Sequence, residues 1–555
     1  MATEYARERS RAVGGGDVVM LIDLQADPDA TLEPSDVCIV GAGAAGVTLA
    51  RRLSQRGIQV CLLESGGFDF EQATQDLYRG ANVGMPYYDL DQSRLRFFGG
   101  TVAIWGGRCA QLDPIDFEQR AWVPYSGWPI THGDLDPYYR QAHDMLELGE
   151  FHYRDDVWDA LGTAGPGLDP RRIDTVLWRF DEAVERFTAA RSRDLTDAAN
   201  VRIVLHANAV KLQASPDARR IEHVEVRPLG GPSRQIRARR FVIACGAIEN
   251  SRLLIASNDV QTAGIGNDRD LVGRFFMEHP SGRLGRIETH HAFELWAAFQ
   301  KRFMREGPPL APALRLGDAT QRERATLNSI ATLKLQRDPS RGVALGNRLY
   351  QSLKHSIAPT RKGRALDHAY RAIRAWIHRE VRHSIEHFRA RTGMTGLYLM
   401  IRAEQAPNPE SRVLLSNERD ALGNRRADLQ WQLSAIDKHT AKVMAETFDL
   451  ELRRLNKGSV VPSAWLDEPG PQWPVDPTIG NHPIGNYHQV GGTRMSAEPA
   501  AGVVDAHSRV HGYGNLYVAG SSVFATSGWA NPTLTIFALA LRLADHLAAE
   551  GRPAS

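Results

Sequence analysis

The sequence predicts an α/β protein, α+β overall. A Rossmann-like, nucleotide-binding domain is discontinuous in sequence and is joined by a substrate-binding domain with an antiparallel sheet and flanking helices. Three observations predict this. Residues 36–67 read as strand, glycine turn, helix and strand. A second strand-to-helix step recurs at 241–254, so the sheet draws on distant segments. From 281 to about 479 the composition shifts to separated strand and helix patterns, as in an α+β layer. A chain of 555 residues also exceeds what one hydrophobic core serves.

The first unit begins with the uncharged apolar run Val37-Cys38-Ile39-Val40, as expected of a parallel strand buried on both faces. Gly41, Gly43 and Gly46 follow as GxGxxG. The first makes the turn, the second admits a pyrophosphate to the backbone, and the third packs helix on strand. A helix from Ala44 to Gln55 aims its positive N-terminus at those phosphates and ends at Gly57. The second strand, 58–63, closes on Glu64, placed roughly 20 residues after the glycines for a ribose diol. GxGxxG alone is weak; in this full βαβ setting, with Ser65-Gly66-Gly67 behind the acid, it reads as dinucleotide binding. An acid rather than an arginine argues against a 2′-phosphate.

Composition narrows the function class. The net charge of +2 makes no case for nucleic acid. Of four cysteines, Cys38, Cys61 and Cys245 lie in apolar runs and read as buried thiols, while Cys109 follows a glycine-rich segment. No CxxC or Cys/His metal spacing occurs, so a reducing compartment fits and no metal is expected. The polar first residues lack an apolar signal core, and no run of about 18 uncharged apolar residues occurs. A cytoplasmic location without a transmembrane segment is therefore expected.

Along the chain, residues before Asp17 read as disordered, and 18–24 as an added edge strand. In 94–108, RLRFFGGTVAIWGGR, two Gly-Gly pairs bracket an apolar segment with a tryptophan. Such glycines permit close approach to a flat ligand, or a loop tucked under a domain edge. Residues 112–139 read as turns and short helices, and 169–200 as mixed and mostly helical. Strand 201–205 continues into 209–212, and 222–227 with 235–238 alternate as a hairpin does. A break follows Met277-Glu278-His279-Pro280.

In the second domain, strands are expected near 282–288, 325–336 and 396–404. Residues 362–391 place Leu366, Tyr370, Ile373, Ile377, Val381, Ile385 and Phe388 on one helical face and many Arg and His on the other. That is either a solvated surface helix or a basic amphipathic helix touching an anionic membrane or partner.

The last seventy residues hold Asn486-Tyr487-His488-Gln489-Val490-Gly491-Gly492-Thr493-Arg494-Met495, the strand 516–519 ending at Gly520-Ser521, and Asn531-Pro532-Thr533 leading into an apolar helix. Asn-Pro-Thr puts an amide at a helix entrance, where plain capping also favours it.

Together VGAGAAG…LLESGG, FFGGTVAIWGGR, HxxGGTRM and AGSS…NPTLT, in this order, resemble the glucose-methanol-choline (GMC) oxidoreductase family, nearest in motif to its bacterial sugar dehydrogenase and pyranose oxidase branch. The resemblance runs from about Asp36 onward and is weakest near 285–395. It implies FAD rather than NAD, and oxidation of an alcohol to a carbonyl. Domains follow: a 1–35 extension; 36–110, 200–280 and 486–555 for FAD; 111–199 and 281–485 for substrate and lid elements.

Alcohol oxidation needs a base for the O–H proton and a hydride acceptor, here flavin N5. His488 is the expected base, and Asn531 the partner orienting the same hydroxyl; they look like the family's His–Asn pair. His482 misses the motif position, and His507 and His511 read as structural. By position, the resemblance gives Glu64 and Ser65 to the adenosine end, and Gly41, Gly43, Ala44, Ala45 and Gly46 to the pyrophosphate. Gly99, Gly100, Thr101, Trp105, Gly106 and Gly107 run along the flavin. Val210 meets adenine through its amide, and Gly520, Ser521, Asn531, Pro532 and Thr533 line the isoalloxazine. Some pyranose oxidases attach flavin to a histidine just before the tryptophan; Ile104 stands there, so the FAD is expected to be non-covalent.

The NPTLT motif favours a secondary hydroxyl of a sugar or glycoside, with a polyketide, sterol or aliphatic alcohol as the alternative, or a flavin-binding partner protein without turnover. Phe293, Trp296 and Phe299 read as core or as a pyranose platform. The acceptor is oxygen or a separate redox partner, because no haem-attachment CxxCH is present.

Overall fold

The computed structural model describes residues 20–154, 156–183, 186–337, 360–380, 394–476 and 486–550. One sheet is wholly parallel. Its spatial order is β1 (Leu21–Asp23), β6 (Val201–Leu205), β3 (Val60–Leu63), β2 (Ser35–Val40), β10 (Ala238–Ile243) and β18 (Leu516–Val518). The inner residues of strands β2, β3, β10 and β18 are buried and apolar, as in a parallel sheet covered on its faces. Helix α1 (Ala44–Gln55) and the C-terminal helix α6 (Thr533–Glu550) pack together, and α6 also packs on α2 (His132–Met145). The edge strand expected at 18–24 is β1.

The second sheet is antiparallel. Its order is β17 (Ser459–Pro462), β11 (Ser281–Glu288), β14 (Met394–Arg402), β13 (Ile330–Arg337), β12 (Leu310–Leu316), β5 (Ile173–Phe180) and β4 (Arg108–Cys109). Side chains alternate between its faces. Ala331, Leu333, Leu397, Leu399 and Ile401 share one core with α5 (Ala435–Arg454). Val176, Trp178, Phe180, Ala311, Ala313 and Ile330, on the opposite face, join the core of the nucleotide domain. That second face therefore looks towards the nucleotide fold.

Several local expectations change. Residues 173–180, expected to be mostly helical, form β5, because IDTVLWRF is rich in strand-forming apolar residues and pairs with β12 along its length. Residues 209–212 do not extend the parallel sheet. They belong to β7 (Asn208–Ala214), in a separate antiparallel sheet with β8 (Ile221–Arg227) and β9 (Arg234–Ile236). A further hairpin joins β15 (Arg412–Arg419) to β16 (Arg425–Gln430). Arg108 and Cys109 lie within the span assigned to the nucleotide domain, yet pair into the antiparallel sheet.

The basic segment forms α4 (Arg361–Glu380); Val381, Ile385 and Phe388 lie outside the described residues. Its orientation is unusual. Leu366, Tyr370, Ile373 and Trp376 are exposed, while Arg364 bonds Asp69 and Arg371 donates to the Trp105 carbonyl, 3.0 Å away. No helix among the described residues is long and apolar enough to cross a membrane. Phe299 is buried against Trp158, and Trp296 packs on the same core, so this cluster serves packing.

Candidate active site

The glycine turn after β2 has the shape its sequence requires. Gly41 has φ +105°, and a Cβ there would meet the Ala244 carbonyl at 2.7 Å. At Gly46 a Cβ would meet the Gly41 carbonyl at 1.9 Å, so helix and strand touch. At Gly43 a Cβ would meet nothing within 4 Å, and the same holds at Gly106. Both glycines border open space, as close backbone approach to a bound group demands. Ala44 and Ala45 begin α1, and Gly100 closes on Gly43, with 3.2 Å from its would-be Cβ to the Gly43 Cα.

Glu64 is buried and accepts from Ala42 N at 3.1 Å, Ser65 Oγ at 3.0 Å and Gly66 N at 3.0 Å. Gly99 and Gly107 take positive φ, and Thr101 accepts from Leu95 N. The β7–β8 register skips Val210, a bulge that leaves one residue out of the ladder. Gly520 has φ +101°, with Ala45 Cβ 4.0 Å from its would-be Cβ, so the end of β18 and the start of α1 face each other. Ser521 Oγ donates to the Gln489 carbonyl. Trp105 Nε1 and Asn531 Oδ1 are buried polar atoms without a partner among the described residues. Such atoms call for a ligand. Two open glycines, orphaned polar atoms and a buried acid after the second strand fit a bound dinucleotide.

The surroundings of His488 arise from two distant segments. Met277 and Val490 form an antiparallel bridge, with both N–H groups donating across it. Continuing that register sets His279 opposite His488. Gly491 and Gly492 make the approach possible: a Cβ on Gly491 would meet the Phe275 carbonyl at 2.0 Å, and one on Gly492 the Ser251 hydroxyl at 2.5 Å. Glu278 fixes both histidine backbones. It accepts from the N–H groups of His279 (2.7 Å), Asn486 (2.8 Å) and His488, and from the Tyr87 hydroxyl at 3.0 Å. Burial pushes the Glu278 carboxyl up to about 7, opposed by these hydrogen bonds.

A single carbonyl sets the proton positions. His279 Nε2 lies 2.8 Å from the Gly528 oxygen, which can only accept, so that nitrogen carries hydrogen. Burial lowers His279 to about 4, so the ring is neutral and its Nδ1 is a lone pair. His488 Nδ1, 2.8 Å away, must then donate. Burial, followed by His279, Arg402 and Arg108, lowers His488 well below the usual histidine range. It is neutral too, and its Nε2 is a lone pair that accepts from Asn531 Nδ2 at 2.9 Å.

Asn531 owes its place to a wholly buried loop. Trp128 Nε1 bonds Thr526, Trp529 Nε1 bonds Asp113 at 2.7 Å, and Pro532 leads into α6. The expected pair, His488 and Asn531, is thus brought together. His279 was missed. Its only sequence signal was a Glu-His-Pro step at a domain break, and its partner is 209 residues away. His511 Nε2 bonds the Ser496 carbonyl, and His482 lies outside the described residues.

Comparisons with known proteins bear on the family and the cofactor. Residues 407–540 match the family model described as GMC oxidoreductase, and residues 36–261 the one described as FAD dependent oxidoreductase. The chain is 26% identical to the 6'''-hydroxyparomomycin C oxidase of Streptomyces lividus, covering 93% of this chain and 92% of that one. It is 23% identical to the fructose dehydrogenase large subunit of Gluconobacter japonicus, over 92% and 97% of the two chains. A fungal aryl-alcohol oxidase shares the fold, with a TM-score of 0.55 at 13% identity over 94% of this chain and 100% of that one. The chain thus carries a GMC oxidoreductase domain and an FAD dependent oxidoreductase domain, and is an FAD-dependent oxidoreductase.

Proposed function

We propose that this enzyme oxidises a hydroxyl of a sugar or glycoside to the carbonyl. The observation that carries the reading is the neutral Nε2 lone pair of His488 beside the Asn531 amide. FAD, when bound, supplies the two-electron acceptor. The Gly41–Gly46 turn, Glu64 and the 99–107 segment would hold it. His488 Nε2 takes the hydroxyl proton, and Asn531 orients the same oxygen. As the ring becomes cationic, its Nδ1–H stays bonded to His279, whose other nitrogen is tied to the Gly528 carbonyl. The base is therefore held in one tautomer and one orientation throughout. The names of the aminoglycoside oxidase and the fructose dehydrogenase support a sugar or glycoside as substrate.

The acceptor that reoxidises the enzyme is oxygen or a separate redox protein, and four unpaired cysteines are consistent with work in a reducing cytoplasm. Anaerobic titration of the purified yellow protein with sugars, glycosides and simple alcohols tests the reading. Bleaching of the flavin band by the sugar class supports it, and bleaching only by non-sugar alcohols sinks the substrate assignment. The speed of recolouring in air then separates oxidase from dehydrogenase.

A further inference from the structure

We infer that the substrate carries an anionic group, a carboxylate or a phosphate, held by an unpaired cluster of Arg108, Lys301, Lys334 and Arg402 beside the catalytic histidine. The inference rests on the alcohol-oxidising reading above and adds a substrate class to it.

Strand register places three of these groups together. Arg108 pairs with Phe180, Lys334 with Tyr398 and Arg402 with Ile330. Through β12 and β5 these residues share the sheet face of Trp178, the face turned towards the nucleotide fold. The Arg108 guanidinium lies 4.3 Å from the Trp178 ring and that of Arg402 5.7 Å from it. Lys301 comes in from the side, with Nζ 3.8 Å from the Phe180 ring. Arg402 also pairs with Ser281, two residues past His279, and Arg402 and Arg108 both act on His488 and on Lys334, while Arg108 acts on Lys301.

Among the described residues none of the four side chains makes a hydrogen bond or an ion pair, and Arg108 Nε is a buried orphan. Several other interior arginines sit against a carboxylate. Arg120 is paired with Glu404, Arg315 with Asp113, Arg252 with Asp420 and Arg94 with Glu249. An uncompensated charge away from water is strongly unfavourable. Burial lowers Arg402 to about 10, Arg108 to about 9, Lys334 to about 8 and Lys301 to about 7. Lys334 keeps accessible surface, and Arg108, Lys301 and Arg402 are half-buried, so a ligand can reach the cluster.

The acids near the cluster are engaged elsewhere. Glu278 is held by four donors, and Glu182 is paired with Arg379 at 3.4 Å. Helix α4 adds Arg371 and Arg374 to the field on Lys301. The missing counter-charge is supplied by a ligand. A cluster of desolvated like charges at a site, retained against stability, is the pattern of function rather than of folding.

The test uses the FAD-loaded enzyme at low ionic strength. Binding of D-glucuronate, D-glucose 6-phosphate, D-glucose and D-glucosamine is read from the flavin difference spectrum, and oxidation from anaerobic bleaching. At least one of the two anions should bind about tenfold or more tightly than glucose, and which one does so separates carboxylate from phosphate recognition. Glucosamine should bind no better than glucose. Arg402→Met and, separately, Lys334→Met should lower the anion-to-glucose preference by about tenfold while raising the melting temperature of the ligand-free protein. Equal binding of glucose or glucosamine and the anions overturns the inference, as does a preference untouched in both variants. Anion binding without bleaching by any alcohol leaves the cluster standing and removes the proposed reaction instead.

Discussion

His279 and His488 meet through their two Nδ1 atoms, 2.8 Å apart, with rings at 78°. Two neutral histidines can share that contact only if one donates and the other accepts, and the Gly528 carbonyl decides which. His279 is a positioning residue acting through His488. Replacing it by Leu should retain FAD and fold while slowing flavin reduction on the order of 10²-fold, the cost of misplacing a reacting group. His279→Gln, which can still present an oxygen to His488 Nδ1–H, should recover part of the rate. Stopped-flow reduction of the two variants checks this, and equal rates in both would remove the tautomer argument.

His488→Ala should keep the protein yellow and cut flavin reduction by roughly 10²–10⁴-fold, the usual contribution of a positioned base. A rate unchanged from the parent would take His488 out of the mechanism.

The two open glycines make a prediction about colour rather than rate. Gly43→Val should fold normally, since nothing in the chain lies within 4 Å of its Cβ, yet purify without flavin. Gly46→Val should fail to fold, because its Cβ would overlap the Gly41 carbonyl. Comparing circular dichroism with the 450 nm band separates the cases, and a fully yellow Gly43→Val protein would move the pyrophosphate elsewhere.

Arg120 and Glu404 are fully buried and doubly bonded, at 2.6 and 2.9 Å, tying the 112–128 segment to the end of β14. Removing one partner leaves a lone buried charge. Arg120→Met should cost about 3–5 kcal/mol in urea unfolding, and the double variant Arg120→Met/Glu404→Leu should recover much of it. A fully additive loss would mean the pair is not coupled.

Anion affinity should depend on pH in one direction. Lys301, facing Glu182, Arg108, Arg371 and Arg374, is lowered to about 7; Lys334, facing Arg108 and Arg402, is lowered to about 8. An anion favours the protonated amines, so binding is strongest below about 7 and weakens as pH rises through about 8. Titrating glucuronate or glucose 6-phosphate at several pH values checks this; affinity rising with pH contradicts it. In Lys334→Met the upper part of the slope should vanish.

The sequence alone determined what is local. GxGxxG, the acid after the second strand, Gly-Gly pairs and Asn-Pro-Thr each act through backbone conformation within a few residues, so the turn at Gly41–Gly46 and the placing of Glu64 and Asn531 at element ends were legible. His488 was legible by resemblance, and its two chemical neighbours divide the matter. Asn531 belongs to a motif; His279 does not. Strand 173–180 was misread because pairing with β12, over 130 residues away, outweighs a weak local signal. The tertiary structure decided the tautomer of His488, through a carbonyl at Gly528, and the gathering of Arg108, Lys301, Lys334 and Arg402. Those four come from separate segments, and in sequence each is an ordinary surface cation. Only sheet register turns Arg108, Lys334 and Arg402 onto one face, and only the lack of a partner gives the four a role.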